Sequence, residues 1–180
     1  MRHLSALAAS LSLLASLPLS AAQLYRVGPG RPQPTLNALF AAVDLAPGDV
    51  VEVDGGTTYA GNIVMPAADG GSAAAPVTIR GLRANGQRPI LSGGTDTVYF
   101  NRADHVVFEG FEVTGGSSRC VRVGAHDITV RDSVIHDCPG QGILSNDQFS
   151  GSFTLEYSEI YNAGAGTRSH ALYIQSDEVA

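Results

Sequence analysis

Three stretches of this chain carry nearly the same pattern. They are His105-Val-Val-Phe-Glu-Gly-Phe-Glu-Val-Thr114, Asp127-Ile-Thr-Val-Arg-Asp-Ser-Val-Ile-His136 and Ser152-Phe-Thr-Leu-Glu-Tyr-Ser-Glu-Ile-Tyr161. Aligned, they superpose Phe108, Val130 and Leu155, then Val113, Ile135 and Ile160, with spacings of 22 and 25 residues. Such a period signals a solenoid. Each copy holds two short runs that alternate apolar and polar, so the repeat is built of strands. A third run completes the unit: Val98–Phe100, Val121–Val123, Ile143–Ser145 and Leu172–Ile174. Gly, Asp, Asn and Ser crowd the junctions, where sharp corners need left-handed and turn conformations. Each strand is expected to pair in parallel with its equivalent one coil further, about 4.8 Å along the axis. The reading is an all-β, three-sided parallel β-helix with loops of unequal length at its third corner.

The N-terminus reads as a targeting segment. Met1-Arg2-His3 is followed by an uncharged run of Leu, Ala and Ser to Leu17, and Ser20-Ala21-Ala22 offers a cleavage site. The run is shorter than the roughly 20 residues a spanning helix needs. Residues 1–22 are expected to be a signal peptide and residues 23–180 a single domain, exported to the periplasm or the medium, without membrane insertion and monomeric.

The formal charge of −6 becomes more negative once Arg2 leaves, which disfavours nucleic acid as a partner. All cations are Arg, so no Lys of these residues can act as a base. Cys120 and Cys138 fall at the same corner of neighbouring coils, either as a disulfide or as two thiols, and their spacing does not fit a zinc site. The acidic residues form no EF-hand loop and no glycine-aspartate calcium repeat, so no metal ligand is named and calcium stays open. Val27-Gly-Pro-Gly30 lacks the context of a phosphate loop.

Ahead of the repeats, Leu36, Leu39, Phe40 and Val43 recur at helical spacing, with Thr35 placed to cap and Pro47-Gly48 to stop. A helix over 35–45 would close the open end of the stack. Gly48–Asp54, Val77–Arg80 and Ile90-Leu91 then begin the coils.

Pro47-Gly48-Asp49-Val50-Val51-Glu52-Val53, Gly56-Thr57-Thr58-Tyr59-Ala60-Gly61 and Ala75-Pro76-Val77-Thr78-Ile79-Arg80-Gly81 resemble the opening of right-handed parallel β-helix proteins of the pectate-lyase-like superfamily, in the style of chondroitinase B and alginate lyases. The resemblance spans residues 23–180 and implies that fold. The superfamily holds lyases, hydrolases, epimerases and non-catalytic adhesins, so fold does not choose the reaction. Because the chain stops just after a new coil begins, it is read here as the N-terminal part of a longer protein.

Strand alternation turns Thr114, His136 and Tyr161 outward on one side, and Tyr99, Arg122, Leu144 and Tyr173 on another. β-Elimination of a uronate polymer needs a neutralised carboxylate, a base for the C5 proton and an acid for the leaving oxygen. His170, Tyr161 and His136 are the catalytic candidates, and Arg122, Arg168, Tyr173 and Tyr99 the substrate-binding ones. The expected function is an exported polysaccharide lyase or epimerase acting on a uronate polymer. The alternative is a non-catalytic β-helix that binds glycans or cell surfaces. No carboxylate pair stands out for glycoside hydrolysis.

Overall fold

Phe100, Phe108 and Phe111 meet in the middle of the core, all buried. Phe108 stacks on Phe111 with ring centres 4.3 Å apart, and Phe100 meets Phe108 edge-on at 5.6 Å. Aromatic pairs of this kind contribute about 0.5–1.5 kcal/mol beyond their burial. The computed structural model that places them describes residues 21–146, 151–167, 169–176 and 178–179.

Three parallel sheets wrap this core as a β-solenoid. The first has seven strands and includes Val50–Val53, Val77–Gly81, Val106–Glu109, Ile128–Arg131 and Ser152–Glu156. The second has five: Thr58–Ala60, Ile90–Ser92, Glu112–Thr114, Val134–Cys138 and Glu159–Ala163. The third also has five: Ile63–Met65, Asp96–Asn101, Arg119–Gly124, Gln141–Ser145 and Leu172–Tyr173. The register follows the sequence alignment. Phe108, Val130 and Leu155 are partners, as are Val113, Ile135 and Ile160, and Val98, Val121, Ile143 and Leu172. Phe108 and Val130 are buried, while Leu155 is only partly covered. Leu24–Val27 adds an edge strand to the first sheet that the repeat does not announce.

The corners repeat with the strands. Gly110, Asp132 and Tyr157 all take positive φ between the first and second sheets, as Gly115, Asp137 and Asn162 do at the end of the second. Asp and Asn tolerate that conformation through local hydrogen bonding, and Asp127 and Asp132 form such corners.

The capping helix is shorter than expected. It runs over Leu36–Ala42, with the Thr35 hydroxyl accepting from the Ala38 N–H, and ends at an extended Val43 rather than at Leu45. The cause lies in Leu45. It is buried, and its N–H donates to Asp69 Oδ1 at 2.9 Å, a geometry that draws the chain off the helical path. Leu36 and Leu39 are buried, and Phe40 and Val43 pack against the core.

An outward row on the first sheet alternates in charge: Arg26, Glu52, Arg80, Glu109, Arg131, Glu156. Glu109 lies between Arg80 and Arg131, each at 2.5 Å, and Arg26 meets Glu52 at 3.0 Å. Opposite charges on adjacent strands favour this register over its neighbours.

Candidate functional site

The third sheet presents the outward row Val64, Tyr99, Arg122, Leu144, Tyr173 in consecutive coils. Arg122 lies over the Tyr99 ring, 4.2 Å from guanidinium carbon to ring centre. Its Nε donates to Asn146 Oδ1 at 3.1 Å, and its Nη1 stands 3.5 Å from Asp96 Oδ2. The other oxygen of Asp96 takes Arg119 Nη1 at 2.6 Å. Two guanidinium groups thus share one carboxylate, leaving a net positive charge on an aromatic surface.

Asp96, Arg119 and Gln141 form a second outward row at the start of the same strands. Sequence reasoning missed this row because it began the strands at Val98. Its spacing of 23 and 22 residues repeats the interval between Val98, Val121 and Ile143 and could have revealed it. Arg119 Nε and Gln141 Oε1 are both buried without a hydrogen-bond partner.

Of the five aromatic candidates, Tyr99 lies under Arg122 and the other four form two stacks on adjoining sheets. On the third, His170 lies parallel to Tyr173 with centres 5.4 Å apart, and both are exposed. On the second, His136 lies parallel to Tyr161 at 5.0 Å. His136 is held on both sides: Nδ1 is 2.7 Å from Asp137 Oδ2, and Nε2 is 3.1 Å from Glu112 Oε1. Burial opposes the imidazolium, but hydrogen bonds to Asp137 and Glu112 outweigh it and raise the pKa above the ordinary histidine value. The hydrogen bond from His136 and another from Asn162 hold Asp137 below the usual carboxylate range. Arg168 lies outside the described residues.

Cys120 and Cys138 are joined as a disulfide, with Cα atoms 5.8 Å apart, and the bond ties the third sheet to the end of the second. His105, Asp127 and Ser152 also meet on the first sheet. There the carboxylate sits between the imidazole and the hydroxyl, the reverse of the triad order in which the imidazole meets the hydroxyl, so the trio is not a nucleophilic triad. Among the described residues, no group of three or more His, Cys, Asp or Glu is placed to hold a metal ion, and no helix is long and apolar enough to cross a membrane.

No protein-family model matches the chain, and no curated protein matches it. Among solved structures, the crystal structure of alginate lyase from Paenibacillus sp. str. FPU-7 is similar, with a TM-score of 0.63 and 22% identity. The match covers 79% of this chain and 46% of that one, so the chain spans about half the length of the enzyme it resembles. What the likeness shows is the fold: the chain is a parallel β-solenoid of the kind that lyase carries.

Proposed function

We propose that this chain belongs to an exported polysaccharide lyase of the pectate-lyase-like β-helix type and that its third sheet carries a uronate polymer. The observation that carries the reading is the Arg119–Asp96–Arg122 cluster beside Tyr99. A sugar acid offers a carboxylate and an apolar ring face, and this surface offers a surplus cation and an aromatic ring. The similarity in fold to an alginate lyase supports the same class of substrate.

In this scheme Arg122 and Arg119 neutralise the substrate carboxylate, which makes the C5 proton more acidic and stabilises the charge that develops when it leaves. His170 takes that proton. Tyr173 or Tyr161 gives a proton to the departing glycosidic oxygen as the C4–O bond breaks and the C4–C5 double bond forms. His136 suits a positioning role better than that of base. With both ring nitrogens facing carboxylates it favours the cation, which has no free lone pair, and it supports the Tyr161 ring.

The test is to incubate the purified protein with polymannuronate, polyguluronate, polygalacturonate and chondroitin while following ultraviolet absorbance of the unsaturated product. A rise with one polymer that His170→Ala abolishes, at unchanged melting temperature, supports the scheme. A rise that His170→Ala leaves intact removes His170 as base. Binding without any rise favours the non-catalytic glycan-binding reading.

A further inference from the structure

A second groove lies over the second sheet, which adjoins the third-sheet face that carries the Arg122 cluster. Its floor is the outward row Thr58, Ile90, Glu112, Val134, one residue from each of four consecutive coils. Four rungs at about 4.8 Å each extend it some 14 Å along the axis. Its wall is a hairpin between the first and second sheets. Ala84 and Gln87 exchange backbone hydrogen bonds at 2.9 Å around Asn85 and Gly86, both at positive φ. That is the favoured geometry of a two-residue hairpin turn. The groove is open to solvent along its length and holds about 360 Å³, within the range of small-ligand sites.

The groove is built rigidly. Arg88, nearly covered, grips Asp132 two coils away, through Nη2 at 2.7 Å to the carboxylate and through Nη1 to the carbonyl. The Gly56 N–H donates to the Arg88 carbonyl at the hairpin base. Such bracing reduces the ordering that a ligand must impose. Arg83 is the exception. Its side chain is half exposed, donates through Nη1 to the Gly86 carbonyl at a long 3.4 Å, and stands 3.6 Å from an Asp132 oxygen that Arg88 already holds at 2.7 Å. It is the cation on this wall with reach to spare.

We infer that this groove is a second glycan-binding site, taking a uronate-bearing segment of the polymer, with Arg83 receiving a sugar carboxylate. The floor alternates apolar Ile90 and Val134 with Thr58 and Glu112, which suits a sugar's C–H face and its hydroxyls, and His136 at 3.1 Å offsets the charge of the Glu112 carboxylate. Gln87 and Thr57 line the same space. The inference rests on the third-sheet reading only for the class of polymer. A site here would hold one stretch of chain while another lies on the third sheet, raising the effective concentration of substrate.

Calorimetric titration with a hexamannuronate, and with cellohexaose as the neutral probe, tests this in an Arg122→Ala background. Retained hexamannuronate binding is expected there. Adding Arg83→Ala is expected to weaken it about tenfold or more, the loss of a charge-assisted bond. Adding Thr58→Trp, which fills the exposed floor, is expected to abolish it. Should the Trp variant fail to fold, the surface Arg83 variant still decides. Binding that vanishes with Arg122→Ala alone means a single site and overturns the proposal while leaving the third-sheet reading standing. Binding unmoved by Arg83→Ala, or cellohexaose bound as well as the uronate, also overturns it. Cleavage unaffected by Arg122→Ala would instead sink the third-sheet reading and leave the groove untouched.

Discussion

The guanidinium of Arg122 lies over the ring of Tyr99, 4.2 Å from its centre. The stack fixes the cation at the surface while Asp96 and Asn146 hold its edge. Arg122→Ala is therefore expected to weaken binding of a uronate oligosaccharide at the third sheet about 10- to 100-fold, the scale of one charged hydrogen bond. Arg122→Lys should restore only part, since an ammonium lacks the planar fork. Titration calorimetry of the two variants checks this.

The His136 cluster sets a pH dependence. Its folded pKa is raised above 6.5, so its contribution is complete below that value and is lost as pH rises through the folded pKa. Asp137 is shifted down from 3.8, so its contribution is present above that value and fades at lower pH. The pair is expected to stabilise the protein most between these two ordinary values. Melting curves of wild type and His136→Gln should converge under alkaline conditions and differ most near pH 5–6.

Glu109 anchors the charged row of the first sheet. Burial opposes its charge, but hydrogen bonds from Arg80 and Arg131 outweigh that and hold its carboxyl below the ordinary value. Both arginines are more than 40% exposed, so solvent screens part of the gain. Glu109→Gln is expected to cost about 1–2 kcal/mol at neutral pH. Because the shift is downward, the cost should shrink as pH falls through the folded pKa. Urea denaturation at neutral and acid pH measures both.

The disulfide closes a short loop, 18 residues in sequence separation. Its removal by Cys120→Ser with Cys138→Ser is expected to cost about 3 kcal/mol in the chain-entropy model. Reductant should lower the denaturation midpoint of wild type and leave the double variant unmoved. Equal midpoints for the two proteins in the absence of reductant would contradict it.

Much of the fold was legible because inward residues repeat. Phe108, Val130 and Leu155 each had to face one core, and a slip of one residue would expose them, so alignment gave register directly. The charged row was not legible. Glu52, Arg80 and Glu109 are 28 and 29 residues apart, because the hairpin at 82–89 and the turns at 67–75 lengthen the early coils and hide their period. The helix end was misplaced because a distant partner, Asp69, decides where Leu45 goes. The site was half legible. Alternation gave Tyr99, Arg122 and Tyr173 their shared face, and no local signal paired Asp96 with the two arginines or placed Glu112 against His136.

The most direct test of the central claim is the chemistry of the cut ends. Mass spectrometry of oligosaccharides released from a uronate polymer should find new non-reducing ends one water lighter than hydrolysis would leave, each bearing the C4–C5 double bond. Fully hydrated non-reducing ends, or uncut polymer after prolonged incubation with folded protein, would contradict the assignment of a lyase to this solenoid.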